Sequence, residues 1–514
     1  MIFRSREKAT IVFKEEDFKT FRAHLIKDDG LERAAFLFLG KGMAEGSKVF
    51  YVHKLMLPED SDYRVQHSSE VEPKTEFVLK SFSEFLKSDV AAYMHAHSHP
   101  FSIHASFSGV DNSSFPGMVK SLKGYLQLLD SEIEPVVLRI VCGTIEDGFT
   151  AECVDSKGAQ LATVNEIRVI GQGGIKRILG KSNVGFFKKW IPWGNGFDND
   201  AVCSRNVDLD LNQFDRNIRW LGEMGQRAIS EAHLAVCGVG GIGSIVVAQA
   251  RGLGFRKITL IDHDRVEESN LNRLVGACKK DIGKFKVDIM KREIERYDSG
   301  IQVRAYPVNV QSEEAHRAII DSDMVINALD YDAARMEVQI LSARYLKPLL
   351  DLGAGIILNE DRKTVRSMGG QVIFYIPGGA CLVCQGLAPS KIVSMDIREL
   401  QRSVGYVQGT DETPPSVVTI NSIIAGIGMD LVTRYLTGFA ATPAYIHYDS
   451  LKHVPMPFQF KRKKDCYICG DNGIEGKGDE IEKPMVCPAT PEDILIDTDG
   501  LPAIIGGNND ASVA

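Results

Sequence analysis

The feature that most restricts this chain is the run Leu234-Ala-Val-Cys-Gly238-Val-Gly240-Gly241-Ile-Gly243-Ser244: an apolar strand, a glycine turn and the opening of a helix. Glycines allow a tight turn there and let phosphates approach backbone amides at a helix N-terminus, where the helix dipole meets their charge. Asp262 follows about 20 residues on, at the end of the next apolar run, placed to accept hydrogen bonds from a ribose. From residue 205 strands are expected at Leu234–Cys237, Lys257–Ile261, Val303–Tyr306, Met324–Ala328 and Leu349–Leu352. Helical spacing falls between them, at Ser244–Leu253, Lys284–Tyr297, Glu313–Ile320 and Ala333–Tyr345. This alternation requires right-handed crossovers and a mostly parallel, doubly wound, Rossmann-like sheet. The glycine turn predicts a nucleotide, and taken alone it suits NAD as well as ATP.

A chain of 514 residues has room for roughly three domains. Ahead of the alternation, residues 1–155 carry expected strands at Ala34–Leu39, Lys48–Leu57, Ala91–His95 and Pro135–Cys142, with helices at Phe77–Lys87 and after Gly109, so a separate α/β domain is expected there. Residues 156–204, rich in glycine and basic residues, read as a linker, and 471–514, acidic and rich in Gly, Asp, Pro and Asn, as a mobile tail. With 60 Lys+Arg against 68 Asp+Glu the net charge is −8, which lacks the basic excess that nucleic-acid binding draws on. No stretch approaches the ~18 apolar residues of a membrane span, and no leader-like run follows Met1, so a cytoplasmic protein is expected. Ten cysteines are too sparse for a disulfide scaffold. Four of them form two Cys-x-x-Cys pairs, Cys381/Cys384 and Cys466/Cys469, the spacing of metal ligands.

In the first domain, Tyr93-Met-His95-Ala-His97-Ser-His99-Pro100 leaves an expected strand and Ser108-Gly-Val-Asp111 opens an expected helix. Residues two apart on an extended chain point the same way, so His97 and His99 can aim at one point, and a carboxylate could complete the set. Two His and one Asp offer three zinc ligands and an open fourth position for a water made acidic by the metal, which is hydrolytic chemistry. The His-x-His-Pro and Ser-x-x-Asp segments resemble the JAB/MPN metalloprotease family over about the first 150 residues. That resemblance implies that His97, His99 and Asp111 bind a catalytic zinc and that Ser108 helps hold the oxyanion. It also implies an upstream general base, for which the matching residue is Glu32, just ahead of the strand at Ala34–Leu39. His95 and His104 are expected beside this site.

The segment from Asp262-His-Asp264 through Asn270-Leu-Asn272-Arg273 to Gly283-Lys-Phe-Lys286 gathers Arg273, Lys286 and Asn270 near the phosphate position. Fixed cations with Mg²⁺ suit the charge that builds on an attacked α-phosphate and on departing pyrophosphate, which favours ATP. From Phe214 to Gly470 the chain resembles the activating-enzyme superfamily, the ThiF/MoeB proteins and the adenylation domains of ubiquitin-activating enzymes. The resemblance rests on Phe214-Asp-Arg216-Asn-Ile-Arg219, the glycine turn, the segment just described and Asn327-Ala-Leu-Asp330. It implies that Gly238, Gly240, Gly241 and Gly243 cradle the nucleotide, that Asp262 and Asp264 serve its ribose side, and that Asn270, Arg273 and Lys286 hold its phosphates. It further implies that Asp330 supports Mg²⁺, that Arg216 reaches the nucleotide of a neighbouring protomer in a homodimer, and that the four paired cysteines hold a structural zinc.

Many relatives carry a thioester-forming cysteine on the loop that crosses the active site. The corresponding stretch, Gly405–Ser416, has none. Cys278 and Cys487 are the remaining candidates; Cys142, Cys153 and Cys237 fall in expected strands and Cys203 at the end of the linker. Both chemistries meet at the C-terminal glycine of a small ubiquitin-like protein, which one domain would trim or release and the other adenylate before transfer to a conjugating enzyme or a sulfur donor. The combination resembles bacterial ubiquitin-like conjugation systems, in which such a fusion would be expected. The alternatives are sulfur-carrier activation leading to a thiocarboxylate, and a non-catalytic scaffold that binds nucleotide and zinc.

Overall fold

The computed structural model describes residues 7–129, 131, 133–155, 159–180, 212–359, 363–386 and 415–480, together with two three-residue strands at 494–496 and 502–504. Ten strands build the first unit: β1 (Lys8–Lys14), β2 (Ala34–Ala44), β3 (Ser47–Met56), the small β4 (Tyr63–Gln66) and β5 (Val71–Pro73), β6 (Ala92–Ser98), β7 (Val136–Cys142), β8 (Phe149–Val154), β9 (Gln160–Gly171) and β10 (Gly174–Leu179). Eight of these pair in the order β1-β3-β2-β6-β7-β8-β9-β10, and because β1 also pairs with β9 the sheet closes on itself. The unbroken apolar run of β2 follows from burial on both faces. Leu37 and Leu39 pack with Phe13, Phe18 and Phe21, the latter two from α1 (Glu15–Leu25), while Phe36 and Phe38 pack with Phe82 and Phe85 of α2 (Thr75–Ser88). A third helix, α3 (Gly109–Leu128), completes that second layer.

The stretch expected to link the two units is therefore not all linker. Residues 160–179 are β9 and β10, and without β9 the first sheet could not close. Apolar side chains at Ala162, Val164, Ile167 and Val169 supplied the strand signal, which the polar and charged residues Thr163, Asn165, Glu166 and Arg168 between them obscured. Residues 181–204, with Cys203, lie outside the described residues.

The second unit follows the expected alternation closely: α4 (Asp215–Glu231), β11 (His233–Cys237), α5 (Gly241–Leu253), β12 (Lys257–Ile261), α6 (Lys286–Tyr297), β13 (Gln302–Tyr306), α7 (Glu313–Ile320), β14 (Met324–Asn327), α8 (Asp332–Arg344) and β15 (Leu349–Leu358). Strands β13-β12-β11-β14-β15 are parallel. The sheet then continues antiparallel through β16 (Val365–Tyr375), β17 (Tyr445–Asp449) and β18 (Val454–Phe458), so three of its eight strands depart from the expected parallel pattern. Helix α9 (Val418–Thr437) packs against α5 and α4. Chain order reverses between β12 and β14 on either side of β11, which puts the switch point of the sheet at the glycine turn.

Contact between the units is made at the N-terminal edge of this second sheet. Asp323, just before β14, pairs with Arg177 of β10 at 2.9 Å, and Glu45, just after β2, pairs with Lys257 at the start of β12. The segment after Cys469, expected to begin a mobile tail, strengthens the junction. Residues 471–480 run back to the first unit and lie along the free edge of β2 beyond its pairing with β6. There Gly40 N donates to Gly476 O at 3.1 Å and Asp479 N to Lys41 O at 2.7 Å. Glu475 accepts from Tyr375 Oη at 2.6 Å and from Gly378 N at 3.0 Å, while Tyr345 Oη donates to Asp479 at 2.8 Å. The strap crosses where β2 has no side chain. A Cβ on Gly40 would stand 2.2 Å from the Lys477 carbonyl carbon. Gly40→Val is accordingly expected to lift the strap, lower stability by about 1–3 kcal/mol and speed protease cleavage within 471–480; thermal unfolding and timed proteolysis read both effects.

Candidate functional site

Two clusters stand at opposite ends of the molecule. The first begins where β6 ends. His97 pairs with Ala34 at the start of β2, so Glu32, just ahead of that strand, faces the same end of the sheet. Ser108 and Asp111 form a capping box at the start of α3: Asp111 N donates to Ser108 Oγ at 3.1 Å and Ser108 N to Asp111 Oδ2 at 2.6 Å. This fixes the Asp111 carboxylate over the histidines, with Oδ1 3.0 Å from His97 Nε2 and Oδ2 3.6 Å from His99 Nε2. His97 Nε2 is buried and makes no well-aligned hydrogen bond, although Asp111 lies so close. Asp111 and His97 face each other closely, and the ligand atoms of His97, His99 and Asp111 all lie within 4.8 Å of one another. This donor set fits a zinc ion with an open coordination position.

Glu32 stands 3.9 Å from His99 Nε2 and is 7% exposed. Burial pushes its carboxyl up to about 7, opposed by His97. Asp111 goes the other way: burial would raise it, but His97 and the Ser108 cap hold it well below the usual carboxylate range. The Ser108 hydroxyl oxygen, expected to serve an oxyanion, accepts the cap bond and keeps its O–H to donate. His95 lies beside the cluster, its ring 5.9 Å from that of His97, and burial pushes its pKa down to about 3.

The second cluster surrounds the turn from β11 into α5. Gly238 has φ +83°, and a Cβ on Gly243 would lie 1.9 Å from Gly238 O, so both positions exclude side chains. Gly240 faces open space and Gly241 opens the helix. Asp262, expected at the ribose, also braces the turn: its two oxygens accept from Val239 N and Asp264 N, each at 2.8 Å. Burial raises its pKa against the opposing charge of Lys286. Lys286, the first residue of α6, reaches Asp264 Oδ2 at 2.7 Å. Arg273 lies across Gly241 with its stem, its guanidinium donating to Ser269 O at 2.7 Å and Asn272 Oδ1 at 3.0 Å. The Asn270 side chain accepts from Glu267 N at 3.2 Å, shaping the turn that presents Arg273. Asp330 is exposed in the loop after β14, next to the buried set in which Asp351 accepts from Asn327 and Arg335. Arg216, at the start of α4, has a side chain 91% exposed. Cys278 is exposed and donates to Asp281 Oδ2 at 3.2 Å. Residues 405–414 of the crossing stretch and Cys487 lie outside the described residues.

Sequence reading missed Asn421. It lies one turn into α9 and is 3% exposed, with its amide nitrogen 2.4 Å from where a Cβ on Gly241 would be. An asparagine on the helix face that Ile420, Ile424 and Ala425 line was the available signal.

A third group lies at the root of the strap. Cys381, Cys384, Cys466 and Cys469 are all buried, with Cys381 Sγ 3.6 Å from Cys466 Sγ and Cys384 Sγ 3.5 Å from Cys469 Sγ. Four thiols at about the edge length of a tetrahedron with ~2.3 Å metal–sulfur bonds fit a closed, structural zinc.

Residues 214–468 match the ThiF family. The SAMP-activating enzyme E1 of Haloferax volcanii is 24% identical over 281 residues, covering 52% of this chain and 93% of the relative. The sulfur carrier protein adenylyltransferase of Thermus thermophilus is 26% identical over 264 residues, covering 49% and 87%. A crystal structure of E. coli MccB with ATP aligns at a TM-score of 0.40 and 20% identity, over 50% of this chain and 74% of that one. Residues 214–468 thus carry a ThiF/MoeB-like adenylation domain. Among the described residues no helix is long and apolar enough to cross a membrane.

Proposed function

We propose that this chain adenylates the C-terminal glycine of a small ubiquitin-like protein and, at a separate zinc site, hydrolyses amide bonds formed by or extending from the same protein. The observation that carries the reading is the convergence of His97, His99 and Asp111 beside Glu32 in a chain whose other half is an adenylation domain. The names of the Haloferax and Thermus relatives, which describe activation of small carriers, support the choice of substrate.

In the adenylation step a carboxylate oxygen of the carrier attacks the α-phosphorus of ATP, the bond to the β-phosphate oxygen breaks, and pyrophosphate leaves. The amides at Gly240 and Gly241, with Arg273, Lys286 and Asn270, hold the phosphates and meet the charge that develops. Asp330 supports Mg²⁺, Asp262 and Asp264 orient the ribose, and Arg216 extends to the nucleotide of the second protomer of a homodimer. At the other end His97, His99 and Asp111 hold zinc, which when bound supplies a hydroxide near neutral pH. Glu32 takes up the proton of the attacking water and delivers it to the leaving amine, and the Ser108 hydroxyl donates to the developing oxyanion. The four thiolates hold a second zinc with no open position, which anchors the strap.

A second reading, activation of a sulfur carrier toward a thiocarboxylate, is favoured by the lack of cysteine in Gly405–Ser416 and by the Thermus relative. ATP–pyrophosphate exchange with a small carrier protein ending in Gly-Gly tests adenylation: exchange should require the intact terminus and vanish when the two glycines are removed. No exchange with any such carrier leaves only a scaffold. A trapped thioester on a conjugating enzyme, against a thiocarboxylate formed with a sulfur donor, separates the two enzyme readings.

A further inference from the structure

Resting on the nucleotide site proposed above, we infer that Asn421 is a phosphate-binding residue of this protein: its side-chain amide donates to the phosphates of ATP beside the amides at Gly240 and Gly241. A Cβ placed on Gly241 would stand 2.4 Å from the Asn421 amide nitrogen and 3.3 Å from the stem of Arg273. No side chain fits there, so the absence of a Cβ at 241 brings both groups against the first turn of α5. Gly240, one residue earlier, has nothing within 4 Å of its own Cβ position, which leaves the space above the turn open to a ligand.

Asn421 is also an unusual residue for its place. Its neighbours along the buried face of α9 are Ile420, Ile424 and Ala425, and the helix packs on α5 through apolar contacts. An amide at 3% exposure in such a seam is costly unless it is hydrogen-bonded. Ser416 Oγ, at 3.4 Å, takes one of its two N–H groups at the long limit of a hydrogen bond. The same amide nitrogen lies against the first turn of α5, where an anionic oxygen would form a charge-assisted bond with a neutral donor whose position is already fixed by packing. Arg273 and Lys286 contribute charge. Asn421 adds direction.

A purely structural role predicts something different. If Asn421 only tied Ser416 to the helix, its loss would lower stability and leave nucleotide preference alone. The test is calorimetric binding of Mg²⁺–ATP and of adenosine to the full-length protein, alongside thermal unfolding. Asn421→Ala should weaken ATP about tenfold or more, the scale of one hydrogen bond to a charged group, while adenosine binding changes less than about twofold. Asn421→Asp, of nearly the same shape and able to accept from Ser416, should weaken ATP further by setting a carboxylate against the phosphates. Equal losses for ATP and adenosine, or unchanged ATP affinity in both variants, would overturn the inference. Failure of the unaltered protein to bind ATP would instead remove the nucleotide reading beneath it.

Discussion

Glu32→Gln is expected to lower amide hydrolysis by about 10²–10⁴-fold, the range for loss of a positioned general base, while ATP–pyrophosphate exchange should continue at its original rate. The substitution keeps the shape of a side chain that is 7% exposed, so the fold persists and the loss is chemical. It also leaves the three proposed ligands in place, so metal analysis should find the zinc content of the unaltered protein, expected at about two ions per chain. His97→Ala, by contrast, loses hydrolysis together with about one zinc, because two remaining ligands make a poor site. Peptidase assay, exchange assay and metal content together separate the proton carrier from the metal holders. Hydrolysis that survives Glu32→Gln would assign the base elsewhere.

The second large effect is expected at the other end of the molecule. Lys286→Ala should reduce ATP–pyrophosphate exchange by about 10²–10³-fold, as loss of one preorganised charge at a developing anion does elsewhere. Two consequences of the geometry add together. The phosphates lose a cation, and the charge of Asp264, which Lys286 offsets at 2.7 Å, is left beside the nucleotide. Combining Lys286→Ala with Asp264→Asn should therefore recover part of the lost affinity for ATP, which titration of both variants would measure. Amide hydrolysis should be unchanged in either, since the histidine cluster lies across the junction between the units, at the far end of β2 from Glu45.

Much of this was readable before any coordinates. The parallel core was legible because each crossover repeats a short apolar run and an amphipathic helix, and the two periodicities do not resemble each other. The histidine cluster was legible because period-two spacing on β6 and a capping box on α3 are both local, and the capping box, which orients Asp111, is written in Ser108 and Asp111 themselves. Features that depend on distant partners were not. β9 is a strand because β1 lies beside it, and 471–480 is ordered because β2 has a free edge at Gly40 and Lys41. The Gly-, Asp- and Glu-rich composition of that last segment suggests a tail, since the backbone hydrogen bonds that hold it leave no trace in side-chain pattern. Asn421 belongs to the same class: its meaning comes from Gly241, on another helix.

The strap has a consequence for how the chain is made. At about 5–20 residues per second, a ribosome that has released Gly40 and Lys41 needs roughly 20–90 s more to deliver the glycines that cover them. For that interval the nascent barrel offers an uncapped strand edge, the kind of surface that recruits other chains into aggregates and is shielded in cells by chaperones. Maturation of the N-terminal half thus waits on residues 471–480, made long after it, and a truncation just beyond Cys469 would leave the early-made half exposed.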